Sequence, residues 1–221
     1  MRANPSLSKT RGPEFDASFR ANLHDLFRWR RDVRRFRRTP LPQGALQRLL
    51  GIASLAPSVG LSEPWRFVIV EQEGRRAAIR ACFEAANAQA LRAQEAEKAT
   101  LYARLKLAGL EEAPAQVAVF ADTTTPQGHG LGRHTMPEMI EYSAVTAIHT
   151  LWLAARAEGV GVGWVSILDP EKVSGILDTP PHWKLIGYLC IGYPEAECDT
   201  PELERRGWEK RHSPPSVIIR R

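Results

Sequence analysis

Hydrophobic positions recur along the chain at two periods, which together predict a mixture of strands and helices. Short runs rich in β-branched and aromatic residues, bounded by glycine, proline or acidic residues, are typical of strands. Four such runs occur, and we predict a strand in each. They are WRFVIVEQ at 65–72, QVAVFAD at 116–122, VGVGWVSIL at 160–168 and WKLIGYLCIGYP at 183–194.

Longer stretches with apolar residues three or four positions apart predict helices between these strands. The predicted helices lie within 16–33, 39–60 (followed there by a loop), 75–107, 136–159 and 169–177. The helix within 136–159 is the most hydrophobic, with Pro137 predicted in its first turn and Gly159 at its end. Because it is apolar all round, we expect it to be buried on all sides, in a core or across a subunit interface. Helices alternating with separated strands indicate an α+β domain with helices packed on one sheet.

The composition fits one globular domain, since 221 residues with a hydrophobic fraction of 43% allow a substantial core. Residues 1–20 are polar and are expected to form a flexible arm. The longest apolar runs are too short to span a bilayer and the N-terminus resembles no signal peptide, so we expect a cytoplasmic protein without membrane contact. The three cysteines lack ligand spacing and predict reduced thiols without a metal. The six tryptophans are expected mostly in the core.

The positive charge is concentrated at one point. Seven arginines and a single carboxylate, Asp32, lie between Arg28 and Arg38, while the whole chain has a net charge of only +5. Nucleic-acid-binding proteins usually spread basic residues along a face, so this density favours a small anion such as a phosphate. A basic nucleic-acid patch remains the alternative from charge alone.

Four segments, in this order, carry a resemblance to a known family. They are RRDVRRF at 30–36, APSVGLSEPWRFVIV at 56–70, GVGWVSILDP at 161–170 and an arginine, Arg211, after GYP. From about residue 20 onward the chain resembles the flavin-dependent nitroreductases. The resemblance implies an α+β fold with a central mixed or antiparallel sheet flanked by helices, over residues 21–221. It also implies a homodimer of the domain-swapped type that binds FMN at its interface.

One departure from the general pattern points to a branch of the family. Asp32 stands where most members have serine or threonine, and together with GWVSILDP it resembles the flavin destructases. That resemblance implies that reduced FMN is the substrate and O₂ the co-substrate, with no metal. The implied products are 5,6-dimethylbenzimidazole, the lower ligand of cobalamin, and erythrose 4-phosphate. A separate NAD(P)H-dependent flavin reductase would supply the reduced FMN.

The resemblance also assigns residues to roles. Asp32 is expected to be the general base and Ser166 to bind the flavin or relay a proton. We expect the arginines around Asp32 to lower its pKa and keep it ionised, although a simple ion pair with Arg28 is an alternative role. Arg30 and Arg34, taken as one helical turn apart, would share the phosphate. The predicted FMN-binding residues are Arg30, Arg31, Asp32, Val33, Arg34, Ser58, Leu61, Pro64, Gly163, Ser166, Arg211 and Ser213.

The charged helical stretch near 88–114 is longer than a connection needs, and by its position it is expected to form a lid over the flavin. Two other functions stay open. One is an NAD(P)H-dependent nitroreductase or flavin reductase on the same fold, against which Asp32 and the lid argue. The other is a non-enzymatic protein that binds flavin or nucleic acid.

Overall fold

The computed structural model describes residues 12–92, 108–212 and 218–221. Four strands form its sheet: β1 (Trp65–Ile69), β2 (Ala115–Asp122), β3 (Gly161–Val165) and β4 (Trp183–Gly192). The α-helices of the described ranges are α1 (Ala17–Trp29), α2 (Ala45–Ala53), α3 (Glu73–Arg92), α4 (Gly109–Glu112), α5 (Met139–Ala157), α6 (Pro170–Ile176) and α7 (Glu202–Arg205). Each of the four predicted strands is confirmed.

The sheet is antiparallel throughout, with the strand order β1-β2-β4-β3. Strands β1 and β3 therefore form its two edges. Alternation along β2 sends Val117 and Val119 to one face and Ala118 and Phe120 to the other. Because both faces of the sheet are apolar, each must be covered by helices, and the α+β prediction is confirmed.

Each face of the sheet packs against its own helical layer. On one face, α2 and α5 bury Leu49, Ile148 and Leu151 against the sheet. On the other, α3, α4 and α6 bury Ile79, Leu110 and Val173, each almost completely. The edge strand β3 lies between these layers, and the candidate site is built beside it and at its end.

Several predicted boundaries are corrected by the structure. Helix α1 ends at Trp29, so residues 30–33 are not helical, and it begins at Ala17, inside the predicted arm. Strand β3 ends at Val165, which leaves Ser166 just beyond it. Pro137 precedes the N-cap of α5, Glu138, while Gly159 follows the C-cap with φ of 71°, as a terminating glycine does.

The hydrophobic helix α5 is not buried on all sides within one protomer. One face packs on the sheet, but Tyr142 is 51% exposed and Val145 is 39% exposed. His149, one helical turn after Val145, is exposed as well. Helix α1 buries none of its residues in the protomer. In the described ranges, no helix combines the length and apolar character needed to cross a membrane.

Candidate functional site

Asp32 lies on an extended segment that runs beside strand β3. An isolated parallel bridge joins Asp32 to Val162, and the Val33 N–H donates to the Val162 carbonyl oxygen at 3.1 Å. The Trp164 N–H donates to Asp32 Oδ1 at 2.9 Å. Oδ2 lies 3.6 Å from the Arg34 Nε. One carboxylate oxygen is therefore fixed at the edge of the sheet, and the other is held more loosely.

Desolvation raises the pKa of Asp32, and the Trp164 N–H and the charges of Arg34 and Arg30 offset this only in part. Although 37% of the side chain is exposed, the protein encloses the carboxylate closely enough for desolvation to be the largest effect on its pKa. The predicted lowering of this pKa is therefore wrong. A carboxylate with a raised pKa is a stronger base, which suits a proton acceptor.

The simpler role predicted for Asp32 was an ion pair with a neighbouring arginine such as Arg28. The structure contains such a pair with Arg34 and not with Arg28. Arg28 instead pairs with Asp199, with an N–O distance of 2.8 Å. Asp32 is thus turned toward Arg34 and strand β3.

Asp32 and Ser166 line the same cleft, which has a volume of about 220 Å³. Ser166 is exposed and follows directly on β3, so its hydroxyl is accessible. Phe83 of helix α3 and Trp208 line the cleft as well. A carboxylate and a hydroxyl in a cleft that aromatic side chains also line fit a planar ligand that must exchange protons.

Asn87 lines this cleft and was missed by the sequence analysis. It lies one helical turn after Phe83 on α3, and within the described ranges its amide makes no hydrogen bond. The available signal was a polar residue four positions after an aromatic one, in a helix whose periodicity is weak. Its amide can both donate to and accept from a ligand.

The arginines form a site suited to an anion. Burial and the nearby charge of Arg211 lower the pKa of Arg30, and the same two causes lower that of Arg31. Cations so close together repel one another unless an anion lies among them. This arrangement fits the phosphate of FMN. A second cleft, of about 210 Å³, shares Asp32 and Arg34 with the first and extends along the arginine segment.

The geometry of this segment differs from the helical turn that was predicted. Arg30 has φ of −68° and ψ of 116°, so the chain is already extended there. In an extended chain, alternate residues point to opposite sides. Asp32 and Arg34 accordingly line the cleft with Ser166, whereas Arg31 and Val33 line a small recess near α5.

Arg31 has a structural task in this arrangement. Its Nε donates to the Asp199 carbonyl oxygen at 3.0 Å, its Nη1 donates to that of Arg30 at 2.9 Å, and its Nη2 donates to that of Arg28. Its guanidinium thus ties the end of α1 to the chain near Asp199. The predicted phosphate ligands were Arg30, Arg31 and Arg34, with Arg211 as a fourth. Because three guanidinium nitrogens of Arg31 already donate to backbone carbonyls, Arg31 has little capacity left for an anion.

Gly163 is buried where the arginine segment crosses β3. A Cβ atom at this position would overlap the Val33 carbonyl oxygen. Glycine is therefore required for the segment to lie against the strand. Its predicted approach to the flavin ring stays a prediction, but its effect on the position of Asp32 is visible in the structure.

Ser58, Leu61 and Pro64 lie far from Asp32 within one protomer. They belong to the loop that leads into β1, whereas Asp32 lies outside β3, at the opposite edge of the sheet. The edges are three strand spacings apart, about 14 Å. Leu61 is 69% exposed with φ of 57°, while Pro64 is buried. One protomer alone does not bring this loop to the cleft.

Two predicted features fall outside the described residues. Ser213 is one, and residues 93–107 of the predicted lid are the other. Among the residues that the structure describes, no three histidine, cysteine, aspartate or glutamate side chains group as a metal site. Cys82, Cys190 and Cys198 are free thiols in the structure.

Comparison with known proteins agrees with this geometry. The model of the nitroreductase family matches residues 27–193. A 5,6-dimethylbenzimidazole synthase of Rhodospirillum rubrum is 57% identical over 210 residues, covering 95% of this chain and 99% of the relative. A protein of the same name from Rhodobacter capsulatus is 47% identical over 196 residues, covering 89% of this chain and 95% of the relative.

Among solved structures, oxidized iodotyrosine deiodinase bound to FMN and 3-iodo-L-tyrosine superposes with a TM-score of 0.69 at 27% identity. The match covers 90% of this chain and 97% of that one. The antiparallel sheet, the helices on both faces and the arginine segment beside β3 all lie within the matched region. The chain therefore belongs to the nitroreductase family, where it groups with the 5,6-dimethylbenzimidazole synthases.

Proposed function

We propose that the protein is a 5,6-dimethylbenzimidazole synthase, which uses O₂ to fragment reduced FMN into 5,6-dimethylbenzimidazole and erythrose 4-phosphate. The observation that carries the proposal is the carboxylate of Asp32, which shares a cleft with the Ser166 hydroxyl and lies beside a cluster of arginines. A general nitroreductase has a hydroxyl where this chain has that carboxylate. Two close relatives that bear the enzyme's name support the same conclusion.

The residues present fit FMN as the substrate. Arg30 and Arg211 would hold the phosphate, since the two positive charges lie close enough for Arg211 to lower the pKa of Arg30. Phe83 and Trp208 provide apolar walls for the flavin ring. Reduced FMN would supply the electrons for O₂ and the atoms of the benzimidazole.

Asp32 would act as the proton acceptor. Formation of dimethylbenzimidazole from a flavin requires removal of hydrogen from the ribityl C1′ and cleavage of the C1′–C2′ bond. The Trp164 N–H holds Oδ1, so Oδ2 is the oxygen left to take a proton at C1′. Ser166 would donate a hydrogen bond in the same cleft and return a proton. Arg34 would keep the carboxylate close to its working position.

We propose further that a homodimer completes the site. The loop with Ser58, Leu61 and Pro64 lies at the wrong edge of its own protomer, so it would reach the flavin held by the partner subunit. The exposed apolar residues Tyr142 and Val145 on α5 would then be covered. A separate flavin reductase would supply reduced FMN.

The decisive experiment mixes the purified protein with chemically reduced FMN in air and analyses the small molecules by chromatography. Loss of flavin with the appearance of 5,6-dimethylbenzimidazole is expected, and a Ser166→Ala variant should form it more slowly. Quantitative recovery of oxidised FMN would contradict the proposal. Rapid reduction of bound FMN by NAD(P)H, without dimethylbenzimidazole, would instead identify a nitroreductase or flavin reductase.

A further inference from the structure

Trp152 contacts two successive residues of the arginine segment from the neighbouring helix. It lies on α5 and is partly buried. Its indole Nε1 donates to the Arg31 carbonyl oxygen at 3.1 Å. The guanidinium carbon of Arg30 lies 4.7 Å from the centre of its ring. One side chain therefore fixes both the backbone of the segment and the direction of its first cationic side chain.

The contact with Arg30 solves an electrostatic problem at the phosphate site. Arg30 and Arg211 repel each other before an anion binds, and within the described residues the guanidinium of Arg30 donates no hydrogen bond that would hold the side chain in place. Without the indole, the flexible side chain would turn toward water. A guanidinium held against a ring face keeps its N–H groups, which lie in its own plane, available for a phosphate.

The contact with Arg31 acts on Asp32. The carbonyl that accepts from Trp152 belongs to the peptide group that joins Arg31 to Asp32. On the other side, the backbone N–H of Trp164 holds Asp32 Oδ1. The two indole rings lie 6.2 Å apart, at an angle of 50°. Asp32 is thus anchored from both sides by residues that pack on each other.

We propose that Trp152 is a positioning residue that preorganises Arg30 for the flavin phosphate, and thereby sets the preference of the site for FMN over riboflavin. This inference rests on the proposed function, because it takes Arg30 as a ligand of the FMN phosphate. Trp152 touches neither the flavin nor the reacting atoms in this assignment. It acts through Arg30 and, to a smaller extent, through the backbone at Asp32.

The test compares the dissociation constants of FMN and riboflavin for the full-length protein, measured by the quenching of flavin fluorescence. In Trp152→Leu, which lacks both the ring face and the N–H, we expect the preference for FMN to fall by about tenfold or more, with riboflavin binding nearly unchanged. Trp152→Phe keeps a ring face and should retain most of that preference. Because it lacks the N–H that holds the backbone next to Asp32, Trp152→Phe should turn over bound reduced FMN more slowly.

Two control variants make the outcome decisive. Trp183→Leu removes another indole that lies under an arginine, since the guanidinium carbon of Arg66 is 5.9 Å from the centre of the Trp183 ring. Trp183 does not line the cleft of Asp32. The preference of this variant for FMN should therefore equal that of the unmodified protein. Arg30→Met should lose the preference as Trp152→Leu does. If Trp152→Leu does not fold, Trp152→Met removes the same groups with a more adaptable side chain.

Equal weakening of FMN and riboflavin in Trp152→Leu would overturn the inference, because a purely structural role affects both ligands alike. The inference would also be overturned if Arg30→Met lost the preference for FMN and Trp152→Leu kept it. In that case Arg30 would still be assigned as a phosphate ligand. If Arg30→Met keeps the preference for FMN, Arg30 is not a ligand of the phosphate and the inference is wrong for that reason. Formation of dimethylbenzimidazole in each variant reports separately on the proposed function.

Discussion

At the scale of single residues, two opposing effects set the pKa of Asp32, and only one of them can be seen in the sequence. The arginines beside it are visible in the sequence and indicate a lowered pKa. The loss of water around the carboxylate is not visible there, and it raises the pKa above its ordinary value. The larger effect is the one that depends on the fold. As a result, the residue is a better base than its neighbours in the sequence suggest.

Replacing Asp32 by asparagine tests its role most directly. The amide oxygen of Asp32→Asn can still accept the hydrogen bond from the Trp164 N–H, so FMN should bind within a few-fold of its normal affinity. Formation of dimethylbenzimidazole should fall by a factor on the order of 10² to 10⁴, because the proton acceptor is gone. Product formation from reduced FMN and binding of FMN should be measured on the same preparation. Normal turnover in this variant would remove Asp32 from the mechanism.

The raised pKa of Asp32 also predicts a pH dependence. The working carboxylate form is lost as pH falls through that pKa, so turnover should decline on the acid side at a higher pH than for an ordinary aspartate. Arg34 lowers this pKa, so Arg34→Gln should move the acid limb to still higher pH, whereas Arg34→Lys should keep most of the charge effect. The comparison is made by the pH profile of turnover at saturating reduced FMN. An acid limb that does not move in Arg34→Gln would show that another group controls it.

At the scale of elements, the arginine segment shows how a helical pattern is overridden by tertiary contacts. Its residues continue the helical spacing of α1, yet the chain becomes extended at Arg30. The Val33 N–H is satisfied by β3, and the Arg31 carbonyl oxygen by Trp152. These partners are 121 or more residues away along the chain, so local propensity gives no sign of them.

Helix α4 ties the far end of the predicted lid to the same segment. The Phe36 N–H donates to Glu112 Oε2 at 3.0 Å. The buried Gln116 amide donates to the Leu110 carbonyl oxygen at 3.0 Å and its oxygen accepts from the Tyr188 hydroxyl at 2.7 Å. The end of the predicted lid region that the structure describes is thus fixed to the sheet, next to the arginines.

Gly163→Ala should disturb the arginine segment as a unit. Its Cβ would overlap the Val33 carbonyl oxygen, so the segment would move away from β3. We expect a loss of about 1–3 kcal/mol in the free energy of unfolding, together with weaker FMN binding. Urea denaturation and flavin titration would measure the two effects.

The matched control is Gly51→Ala, on α2, where an added Cβ meets no atom within 4 Å. Alanine has a higher helix propensity than glycine, so the free energy of unfolding of this variant should rise by up to about 1 kcal/mol. Its FMN binding should be normal. Unchanged stability in Gly163→Ala would mean that β3 and the segment are not held as closely as the structure shows.

At the scale of the whole molecule, the protomer carries the two parts of the predicted flavin site on opposite edges of its sheet. The arginine segment and Asp32 lie at the β3 edge, and the loop of Ser58 and Leu61 at the β1 edge. Two protomers related by symmetry would place the loop of each at the cleft of the other. The exposed apolar side chains of α5 and the absence of buried residues in α1 agree with such an assembly.

Val145→Glu tests the assembly by placing a charge on the apolar face of α5. The variant should be largely monomeric at micromolar concentration and should bind FMN at least about tenfold more weakly, because a buried unpaired charge is costly at an interface. Sedimentation velocity and flavin titration provide the measurements. Lys172→Glu, a charge reversal on the exposed side of α6, should leave both unchanged. A dimeric Val145→Glu protein with normal FMN binding would exclude this face as the interface.

The sequence alone determined the strands, most of the helices and the family, because these depend on local periodicity and on motifs that are contiguous in the chain. Asp32 and Ser166 could be named for the same reason, since each lies within such a motif. Asn87 and Trp152 could not, because a polar residue on a weakly periodic helix and a tryptophan on an apolar one are ordinary in a core.

Only the tertiary structure decided how these residues act. It ended α1 at Trp29, used the guanidinium of Arg31 to hold backbone, and separated the loop of Leu61 from Asp32. It also reversed the direction of the Asp32 pKa shift. Each of these outcomes depends on contacts between distant parts of the chain and on the exclusion of water, which arise only when the sheet and its helices have packed.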